Sequence, residues 1–584
     1  MLIFKNTPMK NIIKFIAFCS LVCICFTSCE DMFGDYLEKA PGVDVTIDTI
    51  FSSVNQANKA VSTAYWFATH STYPYEDPGG GNDGWFGAVT DEGECIASWF
   101  QPNGVNRGDI TPTWNRDWRW ATRNKACRYT NIVIERIVDV PDASEEYKKQ
   151  VIAEMKFLRA LNNFYTFQHY GGIPLFDASY KIGDDHSEIE RSSLEETVNF
   201  IVKDCDDAIA VLPDAHPSNM KGRATKAAAM MLKSRTLLYA ASPLFNTSTP
   251  YIELPGHNHL ICYGNYDVNR WQKAADAAKA VIDYAPSAGI ALITDKGIDK
   301  NYQYIWAYQD NKEVILAARK NDLMPNNAMA IFFIGARPFY SGLGGNTGTL
   351  NFISMYEKRD GTPVEWDFEN GGDDLIEKYE SMDLRFKQSW GYSGGYWNED
   401  YPYCEIWEGG RHVTACTGGT WLQKMLPPQQ TKANPRIILQ SPTFRLTEAY
   451  LNYAEALNEA KGPVPEAHAA INIIRNRSGQ PNLPTGLSQA EFRNKIRNER
   501  AIELLNEEHR MWDLKRWLLA ESTTYGGMNG PIIGMKIYKI SDNPLRCRYE
   551  PTLIENRVFH RQHYLYPWRQ NEVYKGYLIQ NPGY

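Results

Sequence analysis

The chain has 584 residues, 43% of them hydrophobic and 22% charged, with a formal net charge of −8. This composition is ordinary for a globular protein, and the length suits either several domains or one large composite fold. No basic face or run of Lys and Arg stands out, which argues against nucleic acid as a partner.

The N-terminus has the pattern of a processing segment. Three lysines precede an apolar run from Phe15 to Phe26, which is too short to cross a bilayer core of about 30 Å comfortably as a mature helix. The run ends in Phe26-Thr27-Ser28-Cys29, which resembles a bacterial lipobox, where the signal is cut before the cysteine and the cysteine takes lipid. The alternative is an ordinary secretory signal with an incidental cysteine.

Two acidic residues, Glu30 and Asp31, follow Cys29 at once. In Bacteroidetes lipoproteins, acidic residues at this place resemble an export tag for the outer face of the outer membrane. The predicted location is therefore the cell surface, with acyl chains as the membrane anchor.

The first clear helix signal in the mature chain is a capping box at Ser193 and Glu196. Apolar residues at helical spacing follow it, and Pro213 stops the helix. Cys205 lies on the apolar stripe, so buried packing is its expected role.

Further along the chain, apolar stripes predict helices around 271–282, 446–457 and 467–474. A second capping box, Ser488 to Glu491, opens a helix predicted to continue to about Trp517. Short helices with Ala at their crossing points resemble tetratricopeptide packing, although no strict repeat period is legible.

The segment from about 285 to 435 differs, because Gly-Gly pairs interrupt it and aromatic residues crowd between them. It is predicted to form loops and short strands over the helical scaffold, the kind of place where binding residues tend to lie. Its aromatics either fill a core or stack on flat ligand faces. The aromatic residues between Trp390 and Trp407 are a reserve candidate for a ligand site.

Signals for metal or cofactor chemistry are weak. The seven cysteines after Cys29 are far apart and form no C-x-x-C pair, so a zinc site is unsupported. His257 and His259 form an isolated H-x-H, for which a solvated loop is the favoured interpretation. No cofactor is predicted.

One segment fits a catalytic pattern. Gly391-Tyr392-Ser393-Gly394-Gly395 matches G-x-S-x-G, but the residues after it do not predict the helix that a nucleophile elbow needs. Carboxylates abound and nothing marks one pair, so a surface glycoside hydrolase or esterase stays open as the alternative to a non-catalytic binding protein.

Five blocks of sequence and the lipobox resemble the SusD/RagB family of nutrient-binding lipoproteins, in the family's order. The blocks are Ala153–Leu175, Gly222–Phe245, Arg445–Arg477, Glu499–Trp517 and Gln580–Tyr584. One departure is Pro567-Trp568-Arg569, where the family more often has a small aliphatic residue and a second proline.

The resemblance implies a mainly α fold: a tetratricopeptide-like scaffold of helix pairs, plus an irregular, loop-rich ligand-binding part with short strands. The predicted regions are a signal peptide (1–28), an N-terminal helical region (29–284), a loop-rich aromatic region (285–435) and a C-terminal helical region (436–584), with 29–584 as one composite fold. The family's motifs are mostly scaffold, so Glu154, Arg223 and Asp513 are expected in buried or interfacial pairs.

The resemblance also implies a function. Such proteins lie like a lid on a SusC-like TonB-dependent transporter in the outer membrane and capture oligosaccharide for import without catalysis. Some relatives capture peptides instead, which is a second alternative. Only Cys29 can be carried over from the family by motif, as the lipidation site.

Ligand residues are predicted from local chemistry, because sugar rings stack on aromatic faces while their hydroxyls bind polar side chains. An N-terminal loop group offers Trp85 and Trp99, with Arg107 as polar partner. A central group offers Tyr340, with Asn346 as polar partner. The alternative for each aromatic residue is packing in a core.

Overall fold

The computed structural model describes residues 46–69, 86–95, 101–117, 119–180, 189–319, 345–424, 426, 428–434 and 440–584. The helices of these ranges are α1 (Ile47–Ile50), α2 (Val54–Ala68), α3 (Gln101–Asn106), α4 (Trp120–Arg136), α5 (Glu145–Tyr170), α6 (Leu194–Ile209), α7 (Lys226–Ala241), α8 (Val268–Tyr284), α9 (Asn301–Ala307), α10 (Leu350–Ile353), α11 (Leu375–Ser381), α12 (Leu384–Ser389), α13 (Leu446–Lys461), α14 (Pro465–Arg477), α15 (Gln489–Glu503), α16 (Arg510–Arg516) and α17 (Gln570–Val573).

The strands are few and mostly short. They are β1 (Glu94–Cys95), β2 (Val314–Arg319), β3 (Asn346–Thr347), β4 (Trp390–Gly391), β5 (Trp421–Leu422), β6 (Gln440–Arg445), β7 (Gly530–Asp542) and β8 (Leu545–Arg557). They form a four-stranded sheet in the order β1-β3-β5-β4 and two antiparallel pairs, β2-β6 and β7-β8.

The long helices pack on one another in succession. Helix α2 contacts α4, and from there each long helix contacts the next one in the chain, through α5, α6 and α7 to α8. This stepwise packing confirms the predicted tetratricopeptide-like scaffold. Alanines that are almost fully buried lie at the crossings, for example Ala228 on α7, Ala275 on α8 and Ala449 on α13, and their small side chains let the helix backbones approach closely.

Both predicted capping boxes are present. The hydroxyl of Ser193 accepts from the backbone N–H of Glu196 while the Glu196 carboxylate accepts from the backbone N–H of Ser193. Ser488 and Glu491 make the same reciprocal pair at the start of α15. These caps satisfy backbone groups that a helix start leaves open, and they confirm where α6 and α15 begin.

The loop-rich region leaves the scaffold after α8 and returns at α13, which packs against α8. Strand β2 near its beginning pairs antiparallel with β6 at its end, with Leu316 opposite Phe444. The β2-β6 ladder therefore joins the two ends of the loop-rich region. As a result, α13 follows α8 directly in the packing of the helices.

The aromatic residues of this region mostly form a core. Trp390 and Trp421 are fully buried, and Trp397 and Trp407 are nearly so. This corrects the reserve candidate for a ligand site at its tryptophans, since tryptophans inside a core cannot present a face to a sugar, whereas Tyr396 and Tyr403 of the same stretch are exposed. The buried aromatic residues pack on one another and form the core of a region in which Gly-Gly pairs prevent regular helix packing.

Two further differences concern the C-terminal region. The helix predicted to reach Trp517 is two helices, because α15 ends at Glu503 and α16 begins at Arg510. Asn506 and Glu508 between them have left-handed backbone, with φ near 60°. A long hairpin, β7-β8, also lies in this region, and its residues Met535, Ile537 and Tyr549 pack into the core of the loop-rich region.

A buried ionic network joins the scaffold to the loop-rich region. At its centre, the Glu503 carboxylate of α15 binds three guanidinium groups, from Arg385, Arg445 and Arg477. Arg477 and Arg445 also bind Glu313, and all five side chains are at most 2% exposed. We call these five residues the Glu503 network.

The three arginines decide the charge state of Glu503. Burial alone would raise its pKa, but the adjacent positive charges of Arg477, Arg445 and Arg385 hold that pKa well below its usual range. Glu503 is therefore ionised at any ordinary pH. Its removal would leave three buried guanidinium groups without one of the negative charges that bind them.

We expect Glu503→Gln to lower the free energy of unfolding by about 3–5 kcal/mol, the usual cost of breaking a buried ion pair from one side. Urea unfolding followed by tryptophan fluorescence measures the loss. The matched control is Glu380→Gln, which removes an exposed pair with Lys387 and should cost about 0–1 kcal/mol. Equal stability of the two variants would contradict a structural role for the network.

Candidate functional site

The two loop groups predicted to bind ligand are anchored on adjacent strands. Strand β1 lies between Trp85 and Trp99 in the chain, and β3 begins soon after Tyr340. The two strands pair antiparallel, with Cys95 opposite Asn346. The described ends of the two predicted groups are therefore joined through one ladder, β1-β3.

The predicted site residues have different positions. Trp85, Trp99 and Tyr340, like Cys29, lie outside the described residues, and their contacts with ligand or lipid stay predictions. Arg107 is exposed in the turn after α3, where its Nε donates to Asp109 at 3.0 Å.

Asn346 lies in the interior of the sheet instead of on a surface. Its side chain is fully buried, and its amide oxygen accepts from the thiol of Cys95 at 3.2 Å. In this position the amide links β3 to β1. Asn346 thus supports the pairing of β1 with β3, and a contact between this amide and a ligand stays a prediction.

The segment just before β1 is fixed by two arginines from the C-terminal region. Arg557 of β8 donates to the carbonyls of Thr90 and Gly93 and binds the Glu94 carboxylate at 2.6 Å. Arg510 of α16 makes a two-pronged pair with Asp91, at 2.9 and 2.7 Å. Both arginines are buried, so residues 90–94 are held rigidly on the scaffold.

Glu92 lies between these two anchors and is also buried. Its carboxylate accepts from the backbone N–H of Asn506, in the break between α15 and α16, at 2.8 Å. Burial raises the pKa of Glu92 to about 8, against the opposing effects of the Asn506 N–H and the Arg510 charge. The Glu92 carboxyl therefore keeps its proton at neutral pH and loses it as the pH rises through its raised pKa.

The scaffold pairs expected from the family resemblance are present. Glu154 is fully buried, accepts from the Tyr65 hydroxyl at 2.8 Å and lies 3.6 Å from Arg223. Asp513 accepts from Arg500 and Arg516. These charges hold helices together, which confirms their prediction as structural residues.

The residues that suggested catalysis have structural roles. Ser393 is buried, its hydroxyl donates to the carbonyl of Ile406 at 2.6 Å, and turns instead of a helix follow it. This geometry is not a nucleophile elbow. Across the ranges given above, no group of three or more His, Cys, Asp or Glu is arranged to hold a metal ion.

The cysteines and helices of the same ranges add two observations. All seven described cysteines are buried, including Cys205 at its predicted place on α6. None of the described helices is both long and apolar enough to cross a membrane.

Comparison with known proteins places the fold and the motifs in a family. A profile described as "SusD family" matches residues 295–584, and one described as "starch-binding associating with outer membrane" matches residues 90–238. The chain belongs to the SusD family.

Individual relatives agree with the family assignment. A SusD-like protein of Formosa agariphila is 23% identical over 540 residues, which are 87% of this chain and 90% of that protein. The crystal structure of a SusD-like protein of Bacteroides fragilis is 25% identical, with a TM-score of 0.75 and coverage of 94% of this chain and all of that one. A laminarin-binding SusD-like protein shares the fold, with a TM-score of 0.57, 20% identity and coverage of 91% and 100%.

The raised pKa of Glu92 gives stability a defined pH dependence. The folded protein holds a proton that the unfolded chain releases at its ordinary pKa of 4.5. This contribution to stability is fully present below pH 4.5 and is lost as pH rises through about 8.

We expect the unfolding free energy of Glu92→Gln to fall less steeply between pH 5 and 8 than that of the wild type, by up to about 1.4 kcal/mol per pH unit. Urea titrations at four pH values across and above this window measure both slopes. Glu399→Gln, at an exposed carboxylate, is the control and should follow the wild type. Identical slopes for Glu92→Gln and the wild type would show that Glu92 is already ionised at pH 5.

Proposed function

We propose that this SusD-family protein is a non-catalytic, cell-surface lipoprotein that captures oligosaccharide and delivers it to a SusC-like TonB-dependent transporter. The observation that carries the proposal is the match of SusD-family profiles to residues 90–238 and 295–584. The two matches cover part of the N-terminal helical region, most of the loop-rich region and the whole C-terminal helical region.

Glycan as the ligand class is supported by the description of the second profile as starch-binding and by the structural neighbour that binds laminarin. The arrangement of the site agrees with this class. Two loop groups rich in aromatic and polar side chains are anchored on one rigid ladder, β1-β3. Under this proposal, both groups contact one oligosaccharide.

Attachment to the outer membrane is supported by Phe26-Thr27-Ser28-Cys29 and the acidic pair after it, together with the second profile's reference to that membrane. A lipid on Cys29 would hold the folded part at the outer membrane, where it could contact a transporter.

The ligand prediction is tested with Trp85→Ala and Trp99→Ala. Each should weaken glycan binding about tenfold, because a sugar loses an aromatic face, while the melting temperature stays nearly unchanged. A glycan array identifies the bound sugar, and calorimetry on the detergent-extracted full chain compares the variants. No new reducing ends should appear, which distinguishes binding from hydrolysis.

Trp421→Ala is the matched control for this pair, since Trp421 is fully buried and donates to the His412 carbonyl. It should cost about 3–5 kcal/mol of stability. If Trp85→Ala and Trp99→Ala unfold like this control, or if both bind normally, the predicted ligand site is wrong. Binding of peptides alone would favour the peptide-capturing alternative.

The anchor is tested with Cys29→Ala. Without the acceptor thiol the chain should stay unprocessed or become soluble, and the outer-membrane fraction should lose it. Cell fractionation with immunoblotting measures the change. Cys205→Ala, at a buried cysteine of α6, is the control and should stay in the membrane fraction. Retention of the Cys29→Ala variant in the outer-membrane fraction would contradict the predicted lipidation of Cys29.

A further inference from the structure

A second aromatic cleft lies on the described surface, outside both predicted loop groups. It has a volume of about 470 Å³ and lies between residues 112–117 and residues 569–574. Trp114 and Tyr574 line it with 58% and 80% of their surface exposed. Since most described tryptophans of this protein are buried, an exposed Trp and an exposed Tyr in one cleft need a reason.

The first wall of the cleft is rigid. Thr111 and Trp114 exchange two backbone hydrogen bonds, and the Thr111 hydroxyl accepts a third from the Trp114 N–H. Arg116 has left-handed backbone with φ of 60°, a conformation that non-glycine residues adopt only when their surroundings enforce it. Its guanidinium covers one face of the Trp114 ring at 4.9 Å. The indole is thus held in place with its other face available.

The second wall is fastened to the first. The backbone N–H of Gln570 donates to the Pro112 carbonyl at 2.9 Å, and Arg569 donates to the Asp117 carbonyl at 2.6 Å. Below them the buried Asn115 amide donates to the Tyr170 hydroxyl and to the Pro567 carbonyl. The cleft is therefore part of the folded frame and does not depend on a loose loop.

The cleft carries two positive charges that no described carboxylate neutralises by direct contact. Arg116 donates to neutral acceptors, the Gln101 amide and the Asp109 carbonyl. Arg569 uses one nitrogen on a carbonyl, and its buried Nε has no hydrogen-bond partner among the described residues.

The nearby carboxylates are already paired. Asp109 binds Arg107, and the buried Asp117 binds Arg123 and the Tyr170 hydroxyl. Glu572 accepts from Lys575 and Tyr577. The lining is thus locally positive on a chain whose formal net charge is −8.

We infer that this cleft is a separate subsite for an acidic sugar, a ring that carries a carboxylate or a sulfate. The inference rests on the proposed glycan-binding function. The ring would stack on the free face of Trp114 and against Tyr574, and its anionic group would bind the guanidinium groups of Arg116 and Arg569. Aromatic faces suit any sugar ring, and the unpaired arginines select those with a negative charge.

The test uses the detergent-extracted full chain and two sets of probes. Oligogalacturonate and heparin fragments are the acidic set, and laminarin and starch fragments are the neutral set. Calorimetry should show binding of at least one acidic probe, weakened about tenfold by Trp114→Ala and by Tyr574→Ala. Arg116→Gln should weaken the same probe and reduce the dependence of its affinity on salt.

Matched controls distinguish the effect of losing a ring of this cleft from the effect of losing any exposed aromatic ring. Trp66→Ala and Tyr266→Ala remove rings that are also exposed but do not line the cleft, and both should bind like the wild type. Wild-type binding of neutral probes alone overturns the acidic subsite and leaves the proposed function standing. Acidic binding that survives both Trp114→Ala and Tyr574→Ala also overturns the subsite. Failure to bind any glycan on a broad array overturns the proposed function itself.

Discussion

The Glu503 network is the interaction on which the rest of the structure depends. One carboxylate on α15 neutralises arginines from α12, from the end of β6 and from α14, and Glu313 near the start of β2 completes the set. Desolvated charges are tolerated only when every partner is present. The network therefore makes the helical scaffold and the loop-rich region one cooperative unit, although their sequences look so different.

The same logic extends to the segment that leads into β1. Asp91 and the backbone of Thr90 and Gly93 are held by Arg510 and Arg557, so this segment is fixed by residues near the end of the chain. Buried ionic and backbone contacts thus join parts of the chain that are far apart in sequence.

Local signals in the sequence predicted local structure well. The capping boxes at Ser193 and Ser488 and the helix stripes follow from spacing and side-chain chemistry, whereas the buried pairing of Glu154 was expected only from the family resemblance. The break after Glu503 was missed because its cause is distant: Asn506 binds Glu92, 414 positions earlier. For the same reason nothing in the sequence separated the buried Trp390 from the exposed Trp114, since burial depends on neighbours that only the fold brings together.

The pairing of β2 with β6 has an evolutionary consequence. Because the excursion from the helical scaffold starts and finishes at the same ladder, insertions in its exposed loops can lengthen it without moving α8 away from α13. Substitutions at its buried positions are more restricted, since Arg385 binds Glu503 of α15 and the core around Trp390 includes Ile537 of β7. Evolution of this region is thus expected to proceed through exposed loop residues, by changes that leave the ladder and the buried contacts in place.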